Sequence, residues 1–183
     1  MSSSKAISSK GRLRFWSMLT LILAGEAIFF LPFVLARVFR PTFLEVFDLT
    51  NLELGLVYSV YGSVAIGAYL LGGPLADKFP ARKLMAVALA FTSLGGFFMA
   101  ALADPEGMDW LHQALGISSL SSYLSMKWLY GFWGITTILL FWASLIRATR
   151  EWGGQKLQGM AYGLLDGGRG IVAAGVGTLA VAI

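Results

Sequence analysis

Apolar residues in this chain come in long blocks separated by short polar stretches. An α-helix rises about 1.5 Å per residue, so roughly 20 apolar residues cross a hydrocarbon core. Five blocks reach that length: Phe15–Val38, Leu52–Ala76, Leu84–Ala103, Met126–Ile146 and Leu157–Ile183. They predict an all-α polytopic membrane protein with five transmembrane helices in one partial bundle, residues 15–183. Ahead of them, residues 1–14 are rich in Ser and Lys and read as a disordered cytoplasmic tail. The longest connection runs from Asp104 to Ser125, where Trp110, Leu111, Ala114 and Leu115 recur at helical spacing and predict a short helix lying on the membrane surface.

Composition agrees with the pattern. Of 183 residues, 57% are hydrophobic and only 13% charged, about half the charged share of a soluble domain. The absence of cysteine excludes disulfides, thiolate metal sites and a cysteine nucleophile. His112 is the single histidine, so no metal site is expected, and no lysine-bearing phosphate-binding loop points to ATP. The run Gly175–Ala180 fits a G-x-G-x-x-A pattern, but it lies inside an apolar span rather than between a strand and a helix, and carries no cofactor reading. No cofactor and no enzymatic constellation is expected. The basic start leads into an apolar stretch too long for a signal peptide, and it reads as a retained first span.

The net charge of +4 has a topological explanation. With the amino terminus inside, Lys5, Lys10, Arg12, Arg14, Lys78, Arg82, Lys83, Arg147, Arg150 and Lys156 are cytoplasmic, against Arg37, Arg40 and Lys127 outside. The acids Glu45, Asp48, Glu53, Asp104, Glu106 and Asp109 all fall outside. This is the positive-inside bias, and it needs no nucleic-acid partner. Five spans then put the carboxyl terminus outside. Nothing hydrophilic follows the fifth, so the sequence reads as a piece, or one subunit, of something larger.

One polar knot stands out between the second and third spans: Gly72, Gly73, Pro74, Leu75, Ala76, Asp77, Lys78, Phe79, Pro80, Ala81, Arg82 and Lys83. Pro80 keeps a turn from continuing as helix, the glycines permit close backbone approach, and the charges fit the headgroup level. A solvated turn accounts for this composition. The order of residues says more. Gly73-x-Leu75-Ala76-Asp77-Lys78-x-x-x-Arg82-Lys83 resembles the signature loop between helices two and three of the major facilitator superfamily, departing from it at Pro80 and Ala81. The stretch from Arg147 to Gly177 is similar to the family's passage from helix four into a glycine-rich helix five. The resemblance covers nearly the whole chain and about five of the family's twelve helices. It implies a major-facilitator-type bundle in which Asp77 engages Arg147 or Arg150, and helix eleven of the opposing half, to hold a cytoplasmic gate closed. Gly73 and Arg82 complete that motif.

Small residues recur every four positions at Gly55, Ser59, Ser63 and Gly67, and again at Gly159, Gly163 and Gly167, followed by Gly170, Ala174 and Gly177. Such rows let helix backbones approach closely in lipid. They pack either within the chain or, as the resemblance implies for helices two and five, against a missing half. Three ionisable residues sit at membrane depth: Glu26, Asp166 and Arg169. Residues 166 and 169 share a helix face with Tyr162. Either Asp166 simply neutralises Arg169, or Arg169 contacts an anionic substrate group; Glu26 is either a proton site or the partner of Arg169 from across the bundle. Tyr58, Tyr61, Tyr130, Trp133 and Thr137 are candidate cavity lining, and Trp16, Trp128, Trp142 and Trp152 include candidate interface anchors.

The leading expectation is the amino-terminal portion of a secondary active transporter in a bacterial inner membrane. It moves a small, anionic solute by alternating access with proton coupling, and its partners are lipid, the solute and the missing half. The alternative is a non-transporting, facilitator-derived subunit that scaffolds a larger assembly.

Overall fold

The computed structural model describes residues 2–104, 106, 109, 113 and 121–182, with side chains from Gly11 onward. His112 and the expected surface helix around Trp110, Leu111, Ala114 and Leu115 lie outside the described residues. Among the described residues every regular element is helical. Six helices are labelled here: α1 (Gly11–Val38), α2 (Arg40–Val46), α3 (Asn51–Lys78), α4 (Ala81–Ala103), α5 (Ser122–Gly153) and α6 (Gln158–Ala182). All but α2 are long and apolar enough to cross a membrane.

Local chemistry sets the ends. Thr50 and Glu53 form a reciprocal cap at the start of α3: the Glu53 amide donates to the Thr50 hydroxyl at 3.2 Å, and the Thr50 amide donates to the Glu53 carboxylate at 2.8 Å. That arrangement satisfies two amides that a helix start leaves without intrahelical partners. Ser121 caps α5 by accepting from the Leu124 amide at 3.3 Å.

Two expectations change. Helix begins at Ser2 and runs without a break into the first span, where a disordered tail was expected. No proline interrupts residues 2–14, and extending an existing helix avoids the cost of nucleation. Likewise, Gly72, Gly73 and Pro74 do not form the turn after the second span; all three lie inside α3. Pro74 is exposed, so the backbone bond it forgoes does not break the packed face. The chain turns at Phe79 and Pro80 instead, where Phe79 takes the extended conformation favoured before proline.

The chain separates into two compact units. The middle unit, Ile28–Ser144, takes the end of α1, all of α2–α4 and most of α5. Its core gathers Leu54, Val57, Tyr61, Ala65 and Ala68 along one stripe of α3 with Met126, Leu129, Tyr130 and Trp133 of α5. The three- and four-residue spacing of these positions keeps them on one face of each helix. Close approach needs glycine here: a Cβ at Gly134 would lie 3.0 Å from the Tyr61 carbonyl oxygen, and one at Gly72 3.3 Å from that of Leu139. The terminal unit combines the chain up to Ala27 with the residues from Leu145 onward. Met18, Leu145, Thr149, Ala161 and Leu165 are buried there.

Two helices widen into π-helical stretches, Phe30–Leu35 in α1 and Ile135–Trp142 in α5. The first contains Pro32, whose missing N–H disturbs the regular ladder.

Candidate functional site

The charges at membrane depth meet in the terminal unit. Glu26 on α1 is buried, and its Oε2 lies 3.6 Å from Nε of Arg169 on α6. Nη1 of Arg169 lies 3.8 Å from Oδ1 of Asp166, one turn earlier on the same helix. Both separations are ion-pair distances between opposite charges. The two acids also differ in setting: the Asp166 side chain is 72% exposed, that of Glu26 only 11%. Arg169 is therefore held between a sheltered carboxylate and an open one.

Glycine makes the arrangement possible. A Cβ at Gly25 would lie 3.0 Å from Cδ of Arg169 and 3.3 Å from Leu145, so the arginine stem crosses α1 where no side chain stands. Gly168 plays the matching part for Ile22, whose side chain fills the space that a Cβ there would need. Tyr162 lies elsewhere: its hydroxyl donates to the Ile146 carbonyl at 3.3 Å and ties α6 to the end of α5. At the far end of this unit, Arg14 and Trp152 bond reciprocally. The Trp152 indole donates to the Arg14 carbonyl at 2.8 Å, and the Arg14 guanidinium donates to the Trp152 carbonyl at 3.1 Å while covering the indole ring.

In the middle unit the candidate aromatic residues do come together. Phe33 stacks on Tyr58 at 5.6 Å and meets Tyr61 edge-on at 4.7 Å; Tyr58 meets Tyr130 at 5.5 Å, and Tyr130 meets Trp133 at 5.1 Å. Tyr130 and Trp133 are wholly buried, and their polar atoms are taken up by this unit's own backbone. The Tyr130 hydroxyl donates to the Pro32 carbonyl at 2.8 Å, and the Trp133 indole donates to the Thr92 carbonyl at 3.1 Å. Thr137 donates to the Trp133 carbonyl at 2.6 Å, so Tyr61 is the donor in the 2.7 Å Tyr61–Thr137 hydroxyl pair. Tyr58 keeps partial exposure. Thr92, which bonds Thr136 at 2.9 Å, and Gly95, which seats the Trp133 indole, belong to this network and carried no signal in the sequence.

The motif residues sit at helix ends. Gly73 and Asp77 are exposed near the end of α3, and Arg82 is exposed in the first turn of α4. Arg147 bonds Glu151 at 2.8 Å one turn along α5, and Arg150 is exposed. The first three belong to the middle unit and the last two to the terminal unit. Gly55, Ser59, Ser63 and Gly67 are exposed, and a Cβ built at Gly55, Gly67, Gly159, Gly163 or Gly167 would meet nothing within 4 Å. Among the described residues no cluster of three or more His, Cys, Asp or Glu side chains is placed to hold a metal ion.

Long apolar helices that carry few charges within them, Glu26, Asp166 and Arg169 among these, define a polytopic integral membrane protein. The chain belongs to the Major Facilitator Superfamily, whose sequence profile matches residues 2–178. It is 30% identical over 168 residues to the inner membrane protein YqcE of Escherichia coli K12, spanning 92% of this chain and 35% of that one. Similarity to the inner membrane protein YihN of the same organism is 27% over 169 residues, or 92% of this chain and 36% of YihN. An uncharacterized MG294 homolog of Mycoplasma pneumoniae is 27% identical over 172 residues, 90% of this chain and 34% of that protein. The chain thus spans about a third of the length of these curated relatives. No solved structure gives a significant match.

Proposed function

We propose that the chain is the amino-terminal portion of a secondary active transporter that moves a small anionic solute by alternating access, coupled to protons. The observation that carries this reading is the Glu26–Arg169 pair, set between helices that are otherwise apolar. Ionisable groups at membrane depth cost from about 2.5 kcal/mol upward, and they are characteristic of solute and proton pathways. Arg169 supplies a cation at that depth, and Glu26 is its sheltered counter-ion. An arriving anion competes with Glu26 for the guanidinium, and a displaced carboxylate in an apolar setting gains a proton. The exchange couples one anion to one proton without any large change in buried charge.

Asp77 with Arg147 or Arg150 serves as the cytoplasmic latch in this reading, and the open glycine rows of α3 and α6 are where the remaining helices pack. The relatives named as inner membrane proteins support an inner-membrane location. In this reading the amino terminus lies in the cytoplasm and the end of α6 outside, as the distribution of Lys and Arg favours. The same open rows favour a second reading, a scaffold subunit that transports nothing.

The test is uptake of small organic anions into liposomes by the protein with its full complement of helices, followed with an internal pH dye. Glu26→Gln is expected to abolish proton-coupled uptake and to spare anion exchange. A wild-type protein that moves no anion while co-purifying with a stoichiometric membrane partner would establish the scaffold instead; a variant with unaltered pH dependence would remove Glu26 from the coupling step.

A further inference from the structure

Two apolar clefts open on the surface of the middle unit, and they share a wall. One, of about 350 Å³, lies between α4 and α5 and is lined by Leu94, Gly95, Phe98, Trp128, Leu129 and Phe132. The other, of about 510 Å³, lies between α3 and α5, where Val60, Val64, Gly131 and Ile135 line its length. Trp128 and Phe132, one turn apart on α5, line both, so one aromatic pair forms a wall of each cleft. Lys127 lines the second cleft, in the second turn of α5 and so within about 9 Å of the helix start. Its ammonium lies 4.2 Å above the Tyr123 ring, and no carboxylate among the described residues is within ion-pair distance of it.

We propose that this face binds one anionic diacyl phospholipid, with its phosphate on Lys127 and one tail in each slot. Two clefts on either side of one aromatic pair, with one positive charge lining the second, match a molecule with two tails and one negative headgroup. Charge complementarity also argues against another helix as the occupant. A helix seated over the aromatic pair has to cover Lys127 and the indole of Trp128, which is 70% exposed. Both side chains are of the kind that settle at the headgroup boundary, the lysine by extending its ammonium outward and the tryptophan by keeping its N–H in the polar layer. A phospholipid satisfies both without burying a charge. The site is independent of the transport reading, because it rests only on the middle unit.

Native mass spectrometry of the delipidated full protein, titrated with dioleoyl phosphatidylglycerol and with dioleoyl phosphatidylcholine, tests the idea. One phosphatidylglycerol per chain is expected to be retained about fivefold more tightly than phosphatidylcholine, the preference that one basic residue near an anionic headgroup confers. Lys127→Ala is expected to erase that preference and Lys127→Arg to restore it. Ile135→Trp, which fills one slot, is expected to weaken both lipids. Equal retention of the two lipids by the wild type overturns the proposal, as does a preference that survives Lys127→Ala. Cross-linking of another helix to position 132 with no lipid retained overturns it as well.

Discussion

The two units handle polar groups in opposite ways. Among its described residues the middle unit buries only neutral ones, and apart from the Ser125 hydroxyl they are partnered, as in Tyr61 with Thr137, Thr92 with Thr136, Trp133 with the Thr92 carbonyl and Tyr130 with that of Pro32. The terminal unit buries a carboxylate beside an arginine, with Glu26 Oε2 3.6 Å from Arg169 Nε. Neutral networks of the first kind lock a set of helices in one arrangement, because every rearrangement strands a polar atom. An ion pair differs in that each charge is satisfied by any group of opposite sign. One unit satisfies its buried polar groups with neutral hydrogen bonds, and the other with opposite charges.

The largest effects are expected at that ion pair. Removing one member of a sheltered pair leaves an uncompensated charge and typically costs about 3–5 kcal/mol. Glu26→Ala or Arg169→Ala should therefore lower the unfolding midpoint of the protein in detergent by an amount that matches this range. The double variant Glu26→Gln, Arg169→Met should recover most of the loss, since neither charge remains. Asp166→Asn should have little effect, because that carboxylate is already in contact with its surroundings. A double variant whose loss equals the sum of the two single losses would mean that the two residues act separately, and the contrast between the units would fail.

How much of this was legible beforehand depends on whether the signal is local. The five spans were, because length and hydrophobicity are properties of a continuous stretch, and so was the family, because the order of residues from Gly73 to Lys83 is local too. Glu26, Asp166 and Arg169 announced themselves as charges in apolar runs, but whether Arg169 faced Glu26 or Asp166 was open in the sequence; it lies near both. Thr92 and Gly95 were invisible. Their importance comes from which side chain of α5 arrives opposite them, and nothing in their own neighbourhood encodes that. Gly72 and Gly73 misled for a related reason: they read as turn residues, yet both continue α3, and Gly72 serves the close approach of the Leu139 carbonyl instead.

Gly95 offers a sharper test of the middle unit's rigidity. A Cβ there would collide with the Trp133 indole, which is itself bonded to the Thr92 carbonyl, so the ring cannot swing aside without giving up its partner. Gly95→Ala is expected to cost about 1–3 kcal/mol, the usual range for overpacking. Gly131→Ala should be close to neutral, because a Cβ at that position meets Val60 and Val64 at 3.6 and 3.9 Å, ordinary contact distances. Trp133→Phe should relieve the Gly95→Ala variant. Equal tolerance of alanine at both glycines would show that the core gives way more easily than its hydrogen bonds imply.

The smallest expected effect tests the hydroxyl chemistry itself. Tyr61 donates to Thr137, and Thr137 donates onward to the Trp133 carbonyl, so the two hydroxyls form a short directed chain between α3 and α5. Hydrogen bonds between membrane helices average about 0.6 kcal/mol in double-mutant cycles, because a loosened helix finds other partners. A cycle of Tyr61→Phe and Thr137→Val, read by thermal unfolding in the same detergent, should give a coupling near that value and well below the loss on breaking the Glu26–Arg169 pair. The order matters more than either figure. If the hydroxyl coupling matched or exceeded the cost of breaking the ion pair, the middle unit would owe its order to one strong link rather than to many weak ones acting together, and the network as a whole would not be what fixes the packing of α3 against α5.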